Sequence, residues 1–229
     1  METIKLDAVK RHFQEGEYVV RAVNGVDLIL QKGDFAALAG PSGSGKTTLL
    51  NLIGGLDRPD EGEIFIDNEA TGNKGDDAMT EIRLRKIGFV FQAYNLIPVL
   101  TAYENIQFVL QIQGVPEREH RDSIMPILET LGLDELCNRF PTQLSGGQQQ
   151  RVAVARAVVG HPSIVLADEP TANLDSETSK NLLDMMRKLN EKNDVTFLFS
   201  THDPLVIERA QRVIRMLDGQ VTSDEHKNI

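Results

Sequence analysis

The residues best suited to chemistry form a glycine-rich run, Gly-Pro-Ser-Gly-Ser-Gly-Lys-Thr, at positions 40–47. This is the full spacing of a phosphate-binding loop, and it lies between an apolar strand-like segment and a helix-like one. The glycines allow backbone N–H groups to converge on an anion, and the helix that follows adds partial positive charge. Lys46 can reach terminal phosphates, and the Thr47 hydroxyl is placed for Mg²⁺. The run therefore predicts a phosphate loop that binds a nucleotide with magnesium.

Two carboxylates follow another apolar segment, residues 164–167. Asp168 is suited to holding Mg²⁺ through its water shell, and Glu169 to orienting or deprotonating an attacking water. A proline disfavours helix for the residue before it, so Pro170 predicts that Glu169 stays extended at the strand's end. The competing interpretation, an acidic helix start after a strand, is much weaker beside a phosphate loop.

A second helix start is predicted at Ser145, where Ser145 and Gln148 match a Ser-x-x-Gln capping box. A cap does not require Gly146 and Gly147, and glycines inside a helix cost about 1 kcal/mol each relative to alanine. The cost makes sense if a phosphate approaches this helix end closely. If this start and the one at Gly45 serve one nucleotide within a chain, they must face each other. If they point apart, the second serves a nucleotide on another copy.

Composition limits the classes of protein. The chain has 229 residues, of which 41% are hydrophobic and 25% charged, as in ordinary globular proteins. The formal net charge of −10 argues against a uniformly basic nucleic-acid footprint. Cys137 has no other cysteine to pair with, which suits a reducing compartment. No run approaches the ~18 apolar residues of a membrane span, so work at a membrane would require another polypeptide.

Apolar strands and helices alternate along the chain, which predicts an α/β protein with a largely parallel, covered sheet. A mostly helical stretch from about residue 93 to 155 interrupts that rhythm and is interpreted as an insertion. Residues 68–80 are polar and contain glycines, which predicts a loop. The predicted strands are 4–8, 26–30, 35–39, 63–67, 87–91, 164–167, 195–199 and a hairpin over 213–221; the predicted helices follow Gly45 and cover parts of 101–136, 145–159 and 182–189.

The motifs, taken together and in order, resemble the ATP-binding-cassette ATPases. The resemblance extends over nearly the whole chain, and Leu-Ser-Gly-Gly-Gln at 144–148 is absent from other phosphate-loop families. The motifs that carry it are residues 40–47, Gln92 after the strand 89–91, residues 144–148, Asp168-Glu169, residues 172–175 and His202.

The resemblance implies a fold and a domain plan. The fold is α/β, a P-loop NTPase core with a largely parallel sheet, an N-terminal antiparallel β-subdomain and an inserted α-helical subdomain. Residues 1–229 would form a single nucleotide-binding domain. Within it, 1–92 and 156–229 would form the RecA-like core with the β-subdomain, and 93–155 the helical subdomain with the signature motif.

The resemblance also implies roles at individual positions, with ATP and Mg²⁺ as substrate and cofactor. Gln92 resembles the residue that senses Mg²⁺ and water, His202 the γ-phosphate switch, and Asp175 the residue that couples two sites across a dimer. Phe13 and Tyr18 are the two candidates for stacking on adenine. The implied catalytic residues are Glu169, His202, Lys46 and Gln92, and the metal residues are Thr47, Gln92 and Asp168. The implied ATP-binding residues are Phe13, Gly40, Ser42, Gly43, Ser44, Gly45, Lys46, Thr47 and Thr48, with Ser145, Gly146, Gly147 and Gln148 contributed by the opposite subunit.

A subgroup is indicated by residues 88–92, 95–98, 101–102, 104–105, 148–153 and 167–171. They look like the LolD/MacB-type group, which includes lipoprotein-releasing, macrolide-efflux and cell-division ATPases. The resemblance implies an ATPase that forms a head-to-tail dimer with a second copy and powers a separate membrane permease, by extrusion or by mechanotransmission. It implies a peripheral location at the cytoplasmic face of the inner or plasma membrane, with no nucleic-acid partner.

Other classes fit less well. Chromosome ATPases split the cassette with a long coiled coil, and no sustained heptads separate Gln92 from Ser145. Translation-type proteins carry two cassettes, for which this chain has no room. A phosphate-loop kinase leaves residues 144–148 unexplained. A signalling role, in which ATP opens and closes a membrane partner without moving a solute, stays open.

Overall fold

The computed structural model describes residues 1–16, 18–72 and 74–227. The strands are β1 (Glu2–Glu15), β2 (Tyr18–Gln31), β3 (Phe35–Ala39), β4 (Glu61–Ile66), β5 (Glu69–Ala70), β6 (Ile87–Val90), β7 (Ile164–Asp168), β8 (Thr196–Thr201), β9 (Arg212–Leu217) and β10 (Gln220–His226). The helices are α1 (Lys46–Ile53), α2 (Asp76–Lys86), α3 (Ala102–Ile112), α4 (Glu117–Thr130), α5 (Gly146–Val158), α6 (Ser176–Asn193) and α7 (Pro204–Arg209), with 3₁₀ turns at Asp134–Leu136 and Pro141–Gln143.

The central sheet has the strand order β10-β9-β3-β8-β7-β6. From β9 to β6 all neighbours pair in parallel, and β10 joins as the antiparallel arm of a hairpin. Every residue of β3 is buried, as expected for a strand covered on both faces. The α/β fold with a largely parallel sheet is confirmed, and the parallel strands bring the carboxyl ends of β3, β7 and β8 to one edge.

A second, antiparallel sheet has the order β2-β1-β4-β5. Leu28 and Ile64 of this sheet share one buried cluster with Leu49 of α1 and Ile214 of β9, so the two sheets pack around α1. The turn between β9 and β10 reaches the same region: Gly219 N–H donates to the Ser44 carbonyl at 3.1 Å, and its carbonyl accepts from Asn24 N–H at 2.8 Å. This turn therefore joins the antiparallel sheet to the phosphate loop.

The helices α3, α4 and α5 lie between β6 and β7 in the chain and share a second buried cluster, which includes Ile106, Leu128 and Val152. Thr101 caps the start of α3 through a capping box with Glu104, which explains a helix start directly after the turn at residues 98–100. The predicted boundary between residues 155 and 156 lies inside α5, and the subdomain limits stay a prediction. Among the described residues, no helix is long and apolar enough to cross a membrane.

The predicted loop over 68–80 is wrong at residues 69–70 and from residue 76 onward. The chain forms β5 directly after a turn and begins α2 at Asp76. Only Met79 and Ile82 of α2 are buried, so the sequence of α2 has too few apolar residues to show a helical hydrophobic periodicity. The predicted helix over 182–189 is part of the longer α6, whose polar first turn is capped by Asp175.

Candidate functional site

The phosphate loop connects the buried strand β3 to α1. Gly45 has φ 96°, and a Cβ there would lie 2.0 Å from the Ala22 carbonyl oxygen, so the approach of β2 excludes any side chain. The N-cap residue of α1 is Gly45, and no side chain of the described residues caps this helix, so its first N–H groups have no such partner. The loop therefore presents backbone donors and a helix N-terminus to one anion-sized space.

Lys46 lies over this loop with its side chain buried. Its Nζ donates to the carbonyl oxygens of Gly40 at 2.8 Å and Pro41 at 2.9 Å. Among residues 1–16, 18–72 and 74–227, no carboxylate forms an ion pair with this ammonium group. A buried cation held only by neutral carbonyls attracts an anion, which fits phosphate.

The Thr47 hydroxyl and the Asp168 carboxylate meet beside the loop. Thr47 Oγ1 lies 3.3 Å from each carboxylate oxygen of Asp168, which ends β7. The described residues contain no cluster of three or more acidic, His or Cys ligands. Mg²⁺ is usually held by one or two protein oxygens together with waters and phosphates, so this donor pair fits Mg²⁺ with a nucleotide. The metal would supply charge neutralisation at the phosphate oxygens.

Glu169 is not extended, contrary to the prediction from Pro170. Its φ is 46°, in the left-handed region, and its N–H donates to the Ser200 carbonyl. Its Oε1 lies 2.6 Å from His202 Nδ1, and its Oε2 accepts from Thr201 Oγ1 at 3.2 Å. Pro170 disfavours only the right-handed helical region, and these contacts at the end of β8 hold Glu169 in a less common conformation.

His202 follows β8 and faces the same site. Its side chain is 72% exposed while that of Glu169 is 18% exposed, so the imidazole shields the carboxylate from one side. A solvent-accessible imidazole beside a water-orienting carboxylate can donate a hydrogen bond to a phosphate oxygen or to the carboxylate. The structure thus brings Glu169 and His202 together, as two neighbouring strand ends allow.

These residues line one cavity of about 830 Å³, which we call the phosphate-loop cavity. One side of the cavity is formed by residues that the sequence predicts, which are the phosphate loop, Asp168 and Glu169. The other side, its wall, is formed by residues 19–22 of β2 and by Asp218 in the turn between β9 and β10. Sequence reasoning missed that wall, because short apolar stretches carry no chemical signature. The lining residues are Val19, Val20, Arg21, Ala22, Pro41, Ser42, Gly43, Gly45, Lys46, Thr47, Thr48, Gln92, Asp168, Glu169, His202 and Asp218.

Neither adenine candidate lines this cavity. Phe13 of β1 is half-exposed and pairs across the sheet with Val20, which does line it. The Arg11 guanidinium lies 4.8 Å from the Phe13 ring centroid. Tyr18 begins β2 and is 80% exposed. Phe13 lies opposite Val20 and Tyr18 lies two residues before it in β2, so the choice between them stays a prediction.

Residues 144–148, the signature segment, begin α5 away from the phosphate-loop cavity. Ser145 Oγ accepts from Gln148 N–H at 3.3 Å, and Gln148 Oε1 accepts from Ser145 N–H at 2.8 Å, forming the predicted capping box. A Cβ on Gly147 would lie 2.5 Å from Thr178 Cγ2 of α6. None of the signature residues lines the cavity, so the two helix starts do not share one site within the chain.

The segment after Gln92 is held from two sides. Asn173 Nδ2 donates to the Gln92 carbonyl at 3.0 Å. Arg156 of α5 donates to the carbonyls of Tyr94 and Asn95, two consecutive residues with positive φ. Burial lowers the pKa of the Arg156 guanidinium. Sequence reasoning gave no role to Asn173 or Arg156, because their partners are distant backbone carbonyls.

Asp175 caps α6 beside the signature segment. Its carboxylate accepts from the N–H groups of Glu177 and Thr178 and, at 2.6 Å, from Thr178 Oγ1. The Thr178 hydrogen bonds lower the pKa of Asp175 below its usual range. Asp175 is exposed, so it is available to a second copy, and its coupling role stays a prediction.

Comparisons with known proteins identify relatives. The family model described as "ABC transporter" matches residues 23–172. An uncharacterised ABC transporter ATP-binding protein of Methanocaldococcus jannaschii is 46% identical, and the alignment covers 97% of this chain and 96% of that protein. The lipoprotein-releasing system ATP-binding protein LolD 1 of Rhodopseudomonas palustris is 44% identical, with 96% and 98% covered. The macrolide export ATP-binding/permease protein MacB of Syntrophobacter fumaroxidans is 44% identical; this chain aligns with 31% of its length.

Two solved structures are also similar over nearly the whole chain. One is described as a dimeric, post-hydrolysis ATP-binding cassette bound to ADP and Pi, with 44% identity and a TM-score of 0.87. The other is described as a dimeric bacterial ABC transporter cassette, with 44% identity and a TM-score of 0.88. Each alignment covers 97% of this chain and 98% of the solved one.

Proposed function

Because the chain belongs to the ABC transporter family, we propose that each of its active sites is completed by a second copy of the chain. The chain is the ATP-binding subunit of an ABC transporter, and it hydrolyses ATP and works as a dimer with a membrane permease. The observation that supports completion in trans is the position of the signature segment, which begins a helix outside the phosphate-loop cavity of its own chain.

Within one chain, each residue of the phosphate-loop cavity has a role that depends on its position. The phosphate loop and Lys46 bind the phosphates, and Thr47 with Asp168 would hold Mg²⁺. Glu169 orients the attacking water and accepts its proton, and His202 beside it reaches toward the γ-phosphate. Phosphoryl transfer depends mostly on positioning and electrostatic stabilisation, so a missing contact on the γ-phosphate side leaves the site slow.

The second copy supplies that contact in this proposal. The two chains stand head to tail, so each signature segment faces the other chain's phosphate loop, and a two-fold axis produces two equal sites. The dimeric ADP- and Pi-bound cassette to which this chain is similar supports the arrangement. By analogy with arginine fingers supplied in trans, completion is worth roughly 10³–10⁵ in rate.

Mixing two inactive variants tests completion in trans. Lys46→Ala removes the loop cation, and Ser145→Arg places a bulky side chain in the signature segment; each variant alone should be inactive. In an equal mixture, half the dimers are heterodimers, and each has one site with an intact loop and an intact signature segment. The mixture should recover up to about a quarter of wild-type turnover.

The outcome separates the two geometries. If both halves of a site came from one chain, neither variant would carry a complete site and the mixture would stay inactive. That result would contradict the proposal. Dilution gives a second test, since turnover per chain should fall when the protein is diluted below its dimerisation constant.

We also propose that a groove beside the segment after Gln92 receives a helix of the permease. The groove has a volume of about 260 Å³ and lies between β6, α3 and α5, with Phe89, Phe91 and Val109 among its lining residues. Phe108 and Ile112 are exposed apolar side chains of α3, the helix that supplies Val109 to the groove. Nucleotide sensing at Gln92 is thereby adjacent to the permease contact.

A charge in this region should uncouple the permease while sparing ATP binding. Leu96→Glu tests the segment after Gln92 itself. Because Leu96 packs against the helical core, the thermal midpoint of this variant must be measured as well, to detect a loss of stability. Phe108→Glu places the charge on an exposed side chain, and Ile29→Glu, on an exposed strand of the other sheet, is the control. Unchanged permease binding by Phe108→Glu would place the groove elsewhere.

In this proposal, the permease determines both where the chain is located and which substrate the transporter moves. The chain lies at the cytoplasmic face, held there by a permease of the LolD/MacB type that extrudes a substrate or transmits motion. Purifying the native complex from detergent-solubilised membranes tests this: a co-purifying permease with few spans and a large extracytoplasmic domain is the expected result. A nucleic acid in its place would contradict the transporter assignment.

A further inference from the structure

We propose that Gln150 is a positioning residue for Glu169. Its side chain joins the first turns of α5 to the backbone that carries Glu169 in the same chain. Since α5 begins with the signature segment, this contact transmits the position of that segment to the chain's own water-orienting carboxylate. The inference rests on the proposed completion in trans and adds a connection between the two sites.

The first observation is the contact itself. Gln150 is fully buried, and its Nε2 donates to the Pro170 carbonyl at 2.9 Å. Its Oε1 is also buried and has no hydrogen-bond partner among the described residues. An unpaired buried acceptor costs free energy, so an apolar side chain of similar size would suit α5 better if stability alone mattered. The amide is therefore explained by the bond that it donates.

The second observation is what Pro170 carries. It directly follows Glu169, whose backbone is held in the left-handed region at φ 46°. The Ala172 N–H donates to the Glu169 carbonyl at 3.2 Å, closing a tight turn around Pro170. A residue in this conformation has little freedom to absorb a shift of the next peptide, so displacement of the Pro170 carbonyl reorients the Glu169 side chain.

The third observation is that the other side of this turn is fixed. Thr171 Oγ1 donates to Asp203 Oδ2 at 2.9 Å, and Asp203 N–H donates to Thr201 Oγ1 at 2.9 Å. Thr201 in turn donates to Glu169 Oε2. The turn is thus attached to the end of β8 on one side and to α5 on the other. Movement of α5 relative to the sheet therefore acts on Glu169 through Gln150.

Gln150 lies close enough to the signature segment for a rigid connection. It is five residues after Ser145, inside the same continuous helix, so it moves with the helix start. When the signature segment docks on the partner's nucleotide, α5 takes a defined position and Gln150 sets the Pro170 carbonyl accordingly. Completion of one site in trans is thereby linked to alignment of Glu169 in the other.

Gln150→Met tests the inference, because methionine keeps the length and buried volume but removes the donor. The matched control is Gln149→Met: among the described residues, the Gln149 side-chain amide bonds only to the Leu144 carbonyl, at 3.1 Å, and makes no contact with the Pro170 carbonyl. The measurements are kcat, KM for ATP, the thermal midpoint, and ATP-dependent dimerisation in a Glu169→Gln background. We expect Gln150→Met to lower kcat by about 10–100-fold, with KM and dimerisation within twofold of the wild type.

Gln150→Asn gives a second variant that keeps the amide but shortens the side chain out of reach of Pro170. It should show the same selective loss of kcat, which also keeps the test valid if the methionine variant folds poorly. Retention of kcat within twofold by both variants would overturn the inference. So would a loss of kcat matched by equal losses in dimerisation and thermal midpoint, because that pattern describes a structural residue.

Failure of the proposed function has a different signature. If completion in trans were wrong, the wild-type protein would show no dependence of turnover on dimerisation, before any variant of Gln150 is compared. If only the connection through Gln150 were wrong, the wild type would dimerise and turn over normally and both Gln150 variants would match it.

Discussion

The chain contains two glycine-rich helix starts, α1 and α5, and their first turns differ in how their N–H groups are satisfied. The start of α1 has no side-chain cap and has Lys46 buried over the loop, so its N–H groups and a cation are directed at one space. The start of α5 is capped by its own side chains, Ser145 and Gln148, and lies outside that space. In the proposed function, the first start binds the phosphates of a nucleotide held by its own chain. The second has some of its donors already satisfied by its own side chains, and in that proposal it contacts a nucleotide held by the partner copy.

Lys46→Ala should produce the largest effect, because it removes the cation of the complete site. We expect kcat for ATP hydrolysis to fall by about 10²–10³-fold, the range found when one charge-stabilising donor is lost. Steady-state ATPase assays on concentrated protein measure it. Lys180→Ala, on the exposed face of α6, is the control and should leave kcat unchanged. Comparable activity in the two variants would contradict the role of Lys46.

Gly147→Ala should distinguish the two helix starts, because it should weaken dimerisation and leave ATP binding unchanged. The added Cβ would lie 2.5 Å from Thr178 Cγ2, so either the Thr178 side chain or α5 must shift. We expect ATP binding by the isolated chain to stay unchanged, while ATP-dependent dimerisation weakens by roughly tenfold, or about 1.4 kcal/mol. Binding is measured by fluorescent-nucleotide titration and dimerisation by light scattering.

The matched rescue is Gly147→Ala combined with Thr178→Ser. Serine removes the obstructing methyl group but keeps the hydroxyl that donates to Asp175. Dimerisation should recover most of its strength in the double variant. If the single variant dimerised normally, the close packing at Gly147 would have no bearing on the second anion site.

Acid should weaken the cap of α6, which lies beside the signature segment, and this is the smallest effect. The folded-state pKa of Asp175 is lowered by the Thr178 hydrogen bonds, so the cap contributes stability above the unfolded value near ~3.9. That contribution is lost as the pH falls through the lowered pKa. Protection from hydrogen exchange near residues 176–178, measured relative to the unfolded-chain rate at each pH, should fall below about pH 4 in the wild type. Asp175→Asn should remove that pH dependence, and a transition that survives in the variant would assign it to another group.

Much of the fold could be predicted, because strong local patterns coincide with its main elements. The buried strand β3, the hairpin turn at Asp218-Gly219 and the cap at Ser145 each depend on residues adjacent in sequence. Helix α2 could not be predicted, since only Met79 and Ile82 of its residues are buried. Local periodicity is informative only where one face of an element is well covered.

In the candidate site, too, some features could be predicted from the sequence and others could not. The phosphate loop and the Asp168-Glu169 pair could be located from type and spacing, and the structure places them around one cavity. The left-handed backbone of Glu169 could not be foreseen, because the residues that hold it, Thr201 and His202, are more than thirty positions away. The hydrogen bonds from Arg156 and Gln150 to backbone carbonyls could not be predicted either, because every residue has a carbonyl and the sequence does not indicate which one accepts.

The turn between β9 and β10 has a consequence for biosynthesis. Gly219 supports the phosphate loop through Ser44 and holds Asn24 of β2, although these residues are separated by most of the chain. Translation proceeds from the N-terminus, so the loop leaves the ribosome long before its support does. A nascent chain that has exposed only its first two hundred residues lacks that support, so the nucleotide site takes its final form only after Gly219 has left the ribosome.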